Sequence, residues 1–355
     1  GPGKTGSSAI QNWFNGNSEN LKKAGIYYPK HKLDSNGVSS GNLRTLFTVL
    51  DKGAFKFNET DARALRLYAE EQELDKVVLS PEGFMPHLAS LADFFPEAVF
   101  IFYVRNPLET VESLYNQSVK RHFNTKPLTV PNNITFGNIQ QIINLKKQLP
   151  EINVELRLYG ESFFEGKDIV SDIMSVIDNK YEVNTKSSYI NQSYPLEALE
   201  FKRQLNRIPD LKLHHEVDQF LQAFKGKKVN YSLLTTSDFD RYKKHACLKI
   251  TELLDVFDKS SPDFIRAIEE LPQRPETRQE LSIQDAQLVL LDCKSRQPKL
   301  LKKLIRVAYI GRLFGIHKTV VGKAINSLPG ANSLVNKVIR KMFSIFKGGV
   351  NCNEL

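Results

Sequence analysis

The chain has 355 residues, 41% of them hydrophobic and 25% charged, a globular composition that excludes a disordered or collagen-like chain. No apolar run reaches the ~18 residues a membrane-spanning helix needs. The three cysteines, Cys247, Cys293 and Cys352, form neither a disulfide framework nor a CxxC-type metal site. The net charge of +9 is unevenly placed: residues 294–355 hold 13 Lys and Arg against the single acid Glu354, and everything before them is mildly acidic. A basic end of this kind points to an anionic surface as partner.

Along the chain, 8–15 reads as a short helix ended by Gly16-Asn17, and 18–24 as a further helical turn stopped at Gly25. Helices are expected over 40–51 and 59–73, the second capped by Asn58 or Thr60. KVVLS (76–80) and EAVFIFYV (97–104) are β-branched or continuous apolar runs, the pattern of strands buried on both faces of a parallel sheet. With a helix over 84–95 between them they read as a βαβ unit. Helices over 108–121 and 136–148, a strand at 153–159 and a helix at 167–178 follow. Beyond residue 185 only helical patterns stand out, over 195–206, 214–225, 240–258, 260–271 and 283–294. The expected class is α/β, a mainly parallel sheet flanked by helices, then a helical region and a basic helical tail. The corresponding domains are a core over 1–185, a helical continuation over 186–295 and the tail over 296–355. The chain opens at Gly1 with no strand ahead of its first loop, so the core's first strand is expected to precede Gly1.

That loop, Gly1-Pro2-Gly3-Lys4-Thr5-Gly6-Ser7-Ser8, leads straight into a helix. Helix N-termini present unpaired N–H groups and a positive dipole end, so they attract anions. Glycine lets the backbone approach an anion, Lys4 adds a charge, and Thr5, Ser7 and Ser8 add hydroxyl donors. A nucleoside triphosphatase loop places its Lys after the last Gly, whereas Lys4 precedes Gly6. The strand runs end at Ser80 and Arg105, with no carboxylate placed to hold Mg²⁺. A flexible Gly/Ser-rich terminus is the plain alternative.

Arg105 falls where a buried strand ends, and ligands of open α/β sheets bind outside the carboxyl ends of strands. Ser113 lies two turns into the next helix, so a forked guanidinium and a hydroxyl are available for one anion. The plain alternative is a surface Arg and an exposed Ser.

GPGKTGSSAIQNWF resembles the 5′-phosphosulfate loop of the sulfotransferase family, and YVRNPLETVESLYNQ resembles its 3′-phosphate motif. LKKAGIYYP, VVLSPEGF and YINQSYPLEALEFKRQLNR are similar to further segments of bacterial carbohydrate-type sulfotransferases, with Pro81 in place of the middle Ser of an S-S-E segment. The resemblance covers residues 1–210 and implies a P-loop-like fold and 3′-phosphoadenosine 5′-phosphosulfate (PAPS) as co-substrate. Lys4, Thr5, Gly6, Ser7 and Ser8 would hold the 5′-phosphosulfate, and Arg105 and Ser113 the 3′-phosphate. Lys4 would neutralise the leaving oxygen, and no metal is implied. Glu82, just past a strand end, is the first candidate for general base, with His31 and His87 as runners-up and Glu161 behind them. Ser80-Pro81-Glu82 reads equally as a helix cap with a first-turn acid.

The acceptor implied is a carbohydrate or glycolipid. Two other readings stand beside this one: a P-loop nucleotide kinase, and a non-catalytic sulfotransferase-like binding protein at a membrane or partner surface. In the tail, Lys299, Lys302, Lys303 and Arg306 share one helical arc, with Leu300, Leu301, Leu304, Ile305, Val307 and Ala308 opposite. A second such stretch spans 334–346. The pattern fits an interfacial helix on an anionic membrane, which gives a cytoplasmic protein peripheral at the inner membrane face. It fits equally a helix packed on the protein's own body or on a helical partner. Aromatic residues are not interleaved with the charges, so nucleic acid is not expected.

Overall fold

The computed structural model describes residues 4–32, 41–50, 54–81, 83–183, 194–208 and 213–329. Helix α1 (Ser7–Lys23) merges the two short helices expected at the N-terminus. Gly16 and Asn17 do not stop it, because Phe14 and Leu21 are both fully buried and need one continuous face. Burying two such side chains contributes about 1.5–3 kcal/mol each, against about 1 kcal/mol for a mid-helix Gly. Asn17 Nδ2 also donates to Trp13 O (2.8 Å) inside the helix.

Strand β1 (Ile26–Tyr27) follows. The helix expected over 40–51 is not formed. A 3-10 turn at Leu43–Thr45 leads instead into β2 (Phe47–Val49), antiparallel to β3 (Phe55–Phe57). The Phe47 ring lies 5.6 Å from Phe57 and also meets Phe84 and His87. Cross-strand aromatic pairs of this kind stabilise strands, and no local periodicity reveals them. Helix α2 (Glu59–Glu71) takes the expected cap: Asn58 Oδ1 accepts from the Thr60 and Asp61 N–H groups.

Strand β4 (Lys76–Val77) is followed by a 3-10 turn at Met85–His87 and α3 (Leu88–Phe94). Then come β5 (Phe100–Arg105), α4 (Pro107–Arg121), α5 (Gly137–Gln148), β6 (Val154–Tyr159) and α6 (Ile169–Ile177), all close to their expected positions. The remaining helices are α7 (Leu196–Leu205), α8 (His214–Gln222), α9 (Thr236–Val256), α10 (Pro262–Glu269), α11 (Ile283–Arg296), α12 (Pro298–Ile310) and α13 (Val320–Asn326).

The class is α/β, with helix dominating. Among the described residues the strands form three two-stranded pieces: β1 with β4 and β5 with β6, both parallel, and the β2–β3 hairpin. The runs 76–80 and 97–104, expected as the strands of one βαβ unit, thus fall in separate two-stranded pieces among the described residues. β4 pairs with β1, and β5 with β6, where Arg105 faces Tyr159. No helix among the described residues is long and apolar enough to cross a membrane.

The chain divides into two compact units. The first is Gly1–Thr110, Asn133–Ile190 and Arg241–Leu271; the second is Val111–Asn132, Asn191–Asp240 and Pro272–Leu355. In the first, Ile10, Phe14 and Leu21 of α1 pack with Tyr103 of β5 and with Val170, Ile173 and Met174 of α6. In the second, α7, α8, α11, α12 and α13 share one core that includes Phe201, Phe220, Leu290, Leu304 and Val321.

This second core corrects the reading of 299–308 as an interfacial helix. Leu300, Leu301, Leu304, Ile305 and Ala308 of α12 are buried in the unit's own core, and Lys299, Lys302, Lys303 and Arg306 are its exposed side. The other amphipathic stretch, 334–346, lies outside the described residues. The second unit also buries a cation: Lys202 Nζ donates to Asn206 Oδ1 (2.7 Å) and sits 2.9 Å from His214 Nδ1. Burial holds the Lys202 amine down at about 8. Burial and the nearby Lys202 charge hold the His214 imidazole down at about 4.

Two outcomes follow from this core. Leu304→Ala should cost about 2–5 kcal/mol, and ending the chain at Ser295 should unfold the second unit; chemical denaturation reads both. As pH falls from 6.5 towards about 4, the unfolded chain protonates His214 before the folded one does, so stability contributed by the neutral ring is lost in that window. The drop in urea midpoint across it should be smaller in His214→Gln than in the parent chain.

Candidate functional site

The site grows from the carboxyl ends of β5 and β6, where parallel strands leave their last side chains beside the loop that opens α1. Gly6 is the N-cap of α1, in the left-handed region at φ 78°, with no side-chain cap and no acid in the first turn. Lys4 also has positive φ, 69°. A Cβ on Gly6 would lie 2.3 Å from Ile169 Cδ1 and 3.1 Å from Tyr159 Cε2, so only glycine fits both the backbone and the space. The loop is thus pressed onto the ends of β6 and α6.

Arg105, the last residue of β5, joins strand end to loop. Its Nη1 donates to Lys4 O (3.2 Å), its Nε donates to Glu109 Oε2 (2.9 Å), and its guanidinium lies 4.9 Å from the centre of the Tyr159 ring. The sequence reading named Lys4, Thr5, Gly6, Ser7, Ser8 and Arg105, and the structure brings the lysine backbone, the glycine turn and the arginine into one cluster. Thr5 is buried; Ser7 and Ser8 are half-buried in the first turn of α1. Ser113 is half-buried on α4, past the point where the chain enters the second unit, and the cluster is built of first-unit residues alone. The reading missed Tyr159 and Glu109, which reach Arg105 through strand register and helix pitch. Only the i,i+4 spacing of Arg105 and Glu109 was available as a signal.

Glu82 lies outside the described residues. The chain just before it is tied to α1 and to the segment after residue 40. Gln11 Nε2 donates to Ser80 O (2.6 Å), and Ser80 N donates to Asn42 Oδ1 (2.9 Å). Gly41, at φ 80°, leaves no room for a side chain, since a Cβ there would meet Ser80 O at 2.0 Å. The two histidines are engaged in packing. His31 Nε2 is 2.9 Å from the Tyr28 hydroxyl, and the His31 backbone exchanges hydrogen bonds with the Asn15 side chain. The His87 ring lies 4.7 Å from Phe47. Glu161 is exposed after β6.

Chemically the cluster offers a fixed guanidinium, a lysine and a helix N-terminus. That donor set suits a phosphate or sulfate group. Glu109 competes for the guanidinium, but the two bonds described use only its Nε and Nη1 hydrogens, and arginine has five. Among the described residues no group of three or more His, Cys, Asp or Glu could hold a metal ion. No known protein family, no curated protein and no solved structure matches the chain.

Gly6→Ala should cost at least about 1–2 kcal/mol from the left-handed backbone alone, with the Ile169 contact added. Thermal unfolding should show the loss, and phosphate protection of the fold should weaken with it.

Proposed function

We propose that the chain is a sulfotransferase that uses PAPS and delivers the sulfuryl group to a hydroxyl of a carbohydrate or glycolipid. The observation that carries this reading is the Arg105–Lys4 O bond, which ties a cationic strand end to a glycine-gated helix N-terminus. The sequence resemblance assigns the same two elements to the two ends of PAPS, and a P-loop-like fold belongs to the proposal.

PAPS supplies an activated sulfuryl group on a phosphate oxygen. On this reading the α1 N-terminus and Lys4 orient the phosphosulfate, and Arg105 holds the 3′-phosphate. Glu82 takes the proton of the attacking acceptor hydroxyl. The new bond joins acceptor oxygen to sulfur; the bond that breaks is sulfur to the phosphate oxygen, whose developing charge Lys4 neutralises. Such catalysis rests on positioning and charge stabilisation. The nucleotide-kinase reading is less favoured because β5 and β6 end in Arg105 and Tyr159, not in a carboxylate.

Calorimetry with 3′,5′-bisphosphoadenosine tests the binding half. Binding should survive chelator, and Arg105→Ala should weaken it tens-fold or more, as expected for a charge-assisted contact of about 1.5–3 kcal/mol. The same variant should hardly affect the 3′-dephospho analogue; equal losses remove Arg105 from the 3′ site. Transfer of labelled sulfate to a carbohydrate panel tests the chemistry. Glu82→Gln should lower turnover roughly 10²–10⁴-fold with nucleotide affinity kept. Nucleotide binding with no transfer to any acceptor would favour the non-catalytic reading.

A further inference from the structure

The end of α12 has a property that neither the buried stripe nor the proposed chemistry uses. On the exposed side of α12, Lys299, Lys302, Lys303 and Arg306 lie in one row, and the helical pitch of 100° per residue places Ile310 in the same row. Ile310 is 47% exposed. The chain then makes a 3-10 turn, Gly311–Phe314, in which Leu313 is 86% and Phe314 48% exposed.

This is not a frayed end. Gly311 is buried so tightly that a Cβ would meet Ile316 Cγ2 at 2.8 Å and Ile208 Cδ1 at 2.9 Å. Ile316 is fully buried on the other side of the turn. The chain dips into the core at Gly311, emerges at Leu313-Phe314 and returns at Ile316, so two buried anchors hold the apolar pair outward. From Gln297 to Pro329 there are seven Lys and Arg and no Asp or Glu. A row of cations that ends in a fixed apolar tip is what an anionic bilayer surface accepts: headgroups pair with the row and the tip enters the acyl boundary.

We infer that the α12 cationic row and the Ile310/Leu313/Phe314 tip form a docking surface for an anionic membrane. The apolar contact comes from the turn, while the helix's own apolar stripe stays in the core. This surface stands independently of the proposed sulfuryl transfer.

The test is co-sedimentation of the full chain with phosphatidylcholine vesicles, with and without phosphatidylserine. Binding should require phosphatidylserine. Replacing Lys299, Lys302 and Arg306 together by Gln should weaken it about fivefold per charge, roughly a hundredfold in all; Lys303 is kept because it pairs with Glu216. Leu313→Ser with Phe314→Ser should leave adsorption at low salt and remove the part that resists high salt. All five side chains are exposed or half-buried, so both variants should melt like the parent. Equal binding to neutral vesicles, or binding that both variants keep, overturns the inference. So does self-association that the Leu313/Phe314 variant abolishes without any vesicle binding, or binding to duplex DNA in place of vesicles.

Discussion

Asp172 is fully buried in the first unit, and three elements converge on its carboxylate. It accepts from the Tyr103 hydroxyl on β5 (2.5 Å), from Arg157 Nη2 (2.5 Å) and Nε (3.2 Å) on β6, and from the Glu165 N–H before α6 (2.8 Å). A buried carboxylate is tolerated only when its charge is paired and its lone pairs are filled, and removing a partner leaves a costly bare charge. This knot therefore fixes α6 against both strands. Burial, and then the hydrogen bond to Asp172, raise the Tyr103 hydroxyl far above its usual range, so it stays a donor. Because α6 is fixed, Ile169 stands where it closes the space over Gly6, and the left-handed turn that opens α1 has one available geometry. The candidate anion site is thus held from behind by the Asp172–Arg157 charge pair.

Around that site the electrostatics are restrained. Arg105 is shared among the Lys4 carbonyl, the Glu109 carboxylate and the Tyr159 ring. Each contact fixes the plane of the guanidinium, and orientation is what lets a forked donor recognise one anion geometry. Glu109 also sits in the first turn of α4, where its charge favours the helix dipole. An anion at this point would meet the guanidinium hydrogens that these contacts do not use, with the Glu109 carboxylate as a competing neighbour.

The second unit separates charge from apolar surface along a single helix. The same residues of α12 that read as a membrane-facing stripe fill the core with Phe220, Leu290 and Val321. What remains outside is cationic along the helix, with Ile310, Leu313 and Phe314 exposed at its end beside Arg312. Lys202, buried without a carboxylate among its described hydrogen-bond partners, uses Asn206 and His214 instead. Two neutral partners take up part of its hydrogen-bonding capacity, and burial weakens its ammonium form while the nearby Asp218 charge supports it.

Much of the helical skeleton was legible in the sequence, because periodicity and caps are local. The cap before α2, offered as Asn58 or Thr60 and taken by Asn58, and the strands β5 and β6 were placed close to their observed positions from a few residues each. The loop Lys4–Ser8 and Arg105 stood out in the sequence as candidate donors by residue type and position at a helix start or a strand end, and the structure brings the Lys4 backbone and Arg105 together. Tertiary structure alone decided three matters. Gly16 stays helical because Phe14 and Leu21 need a common buried face. Residues 47–49 become a strand because Phe57, Phe84 and His87, distant in sequence, cover Phe47. The apolar stripe of α12 turns inward because α7, α11 and α13 offer it a core. An amphipathic pattern states that one face of a helix must leave water, but the same free energy is gained against a bilayer, a partner or the chain itself, and only the positions of the other helices select among them.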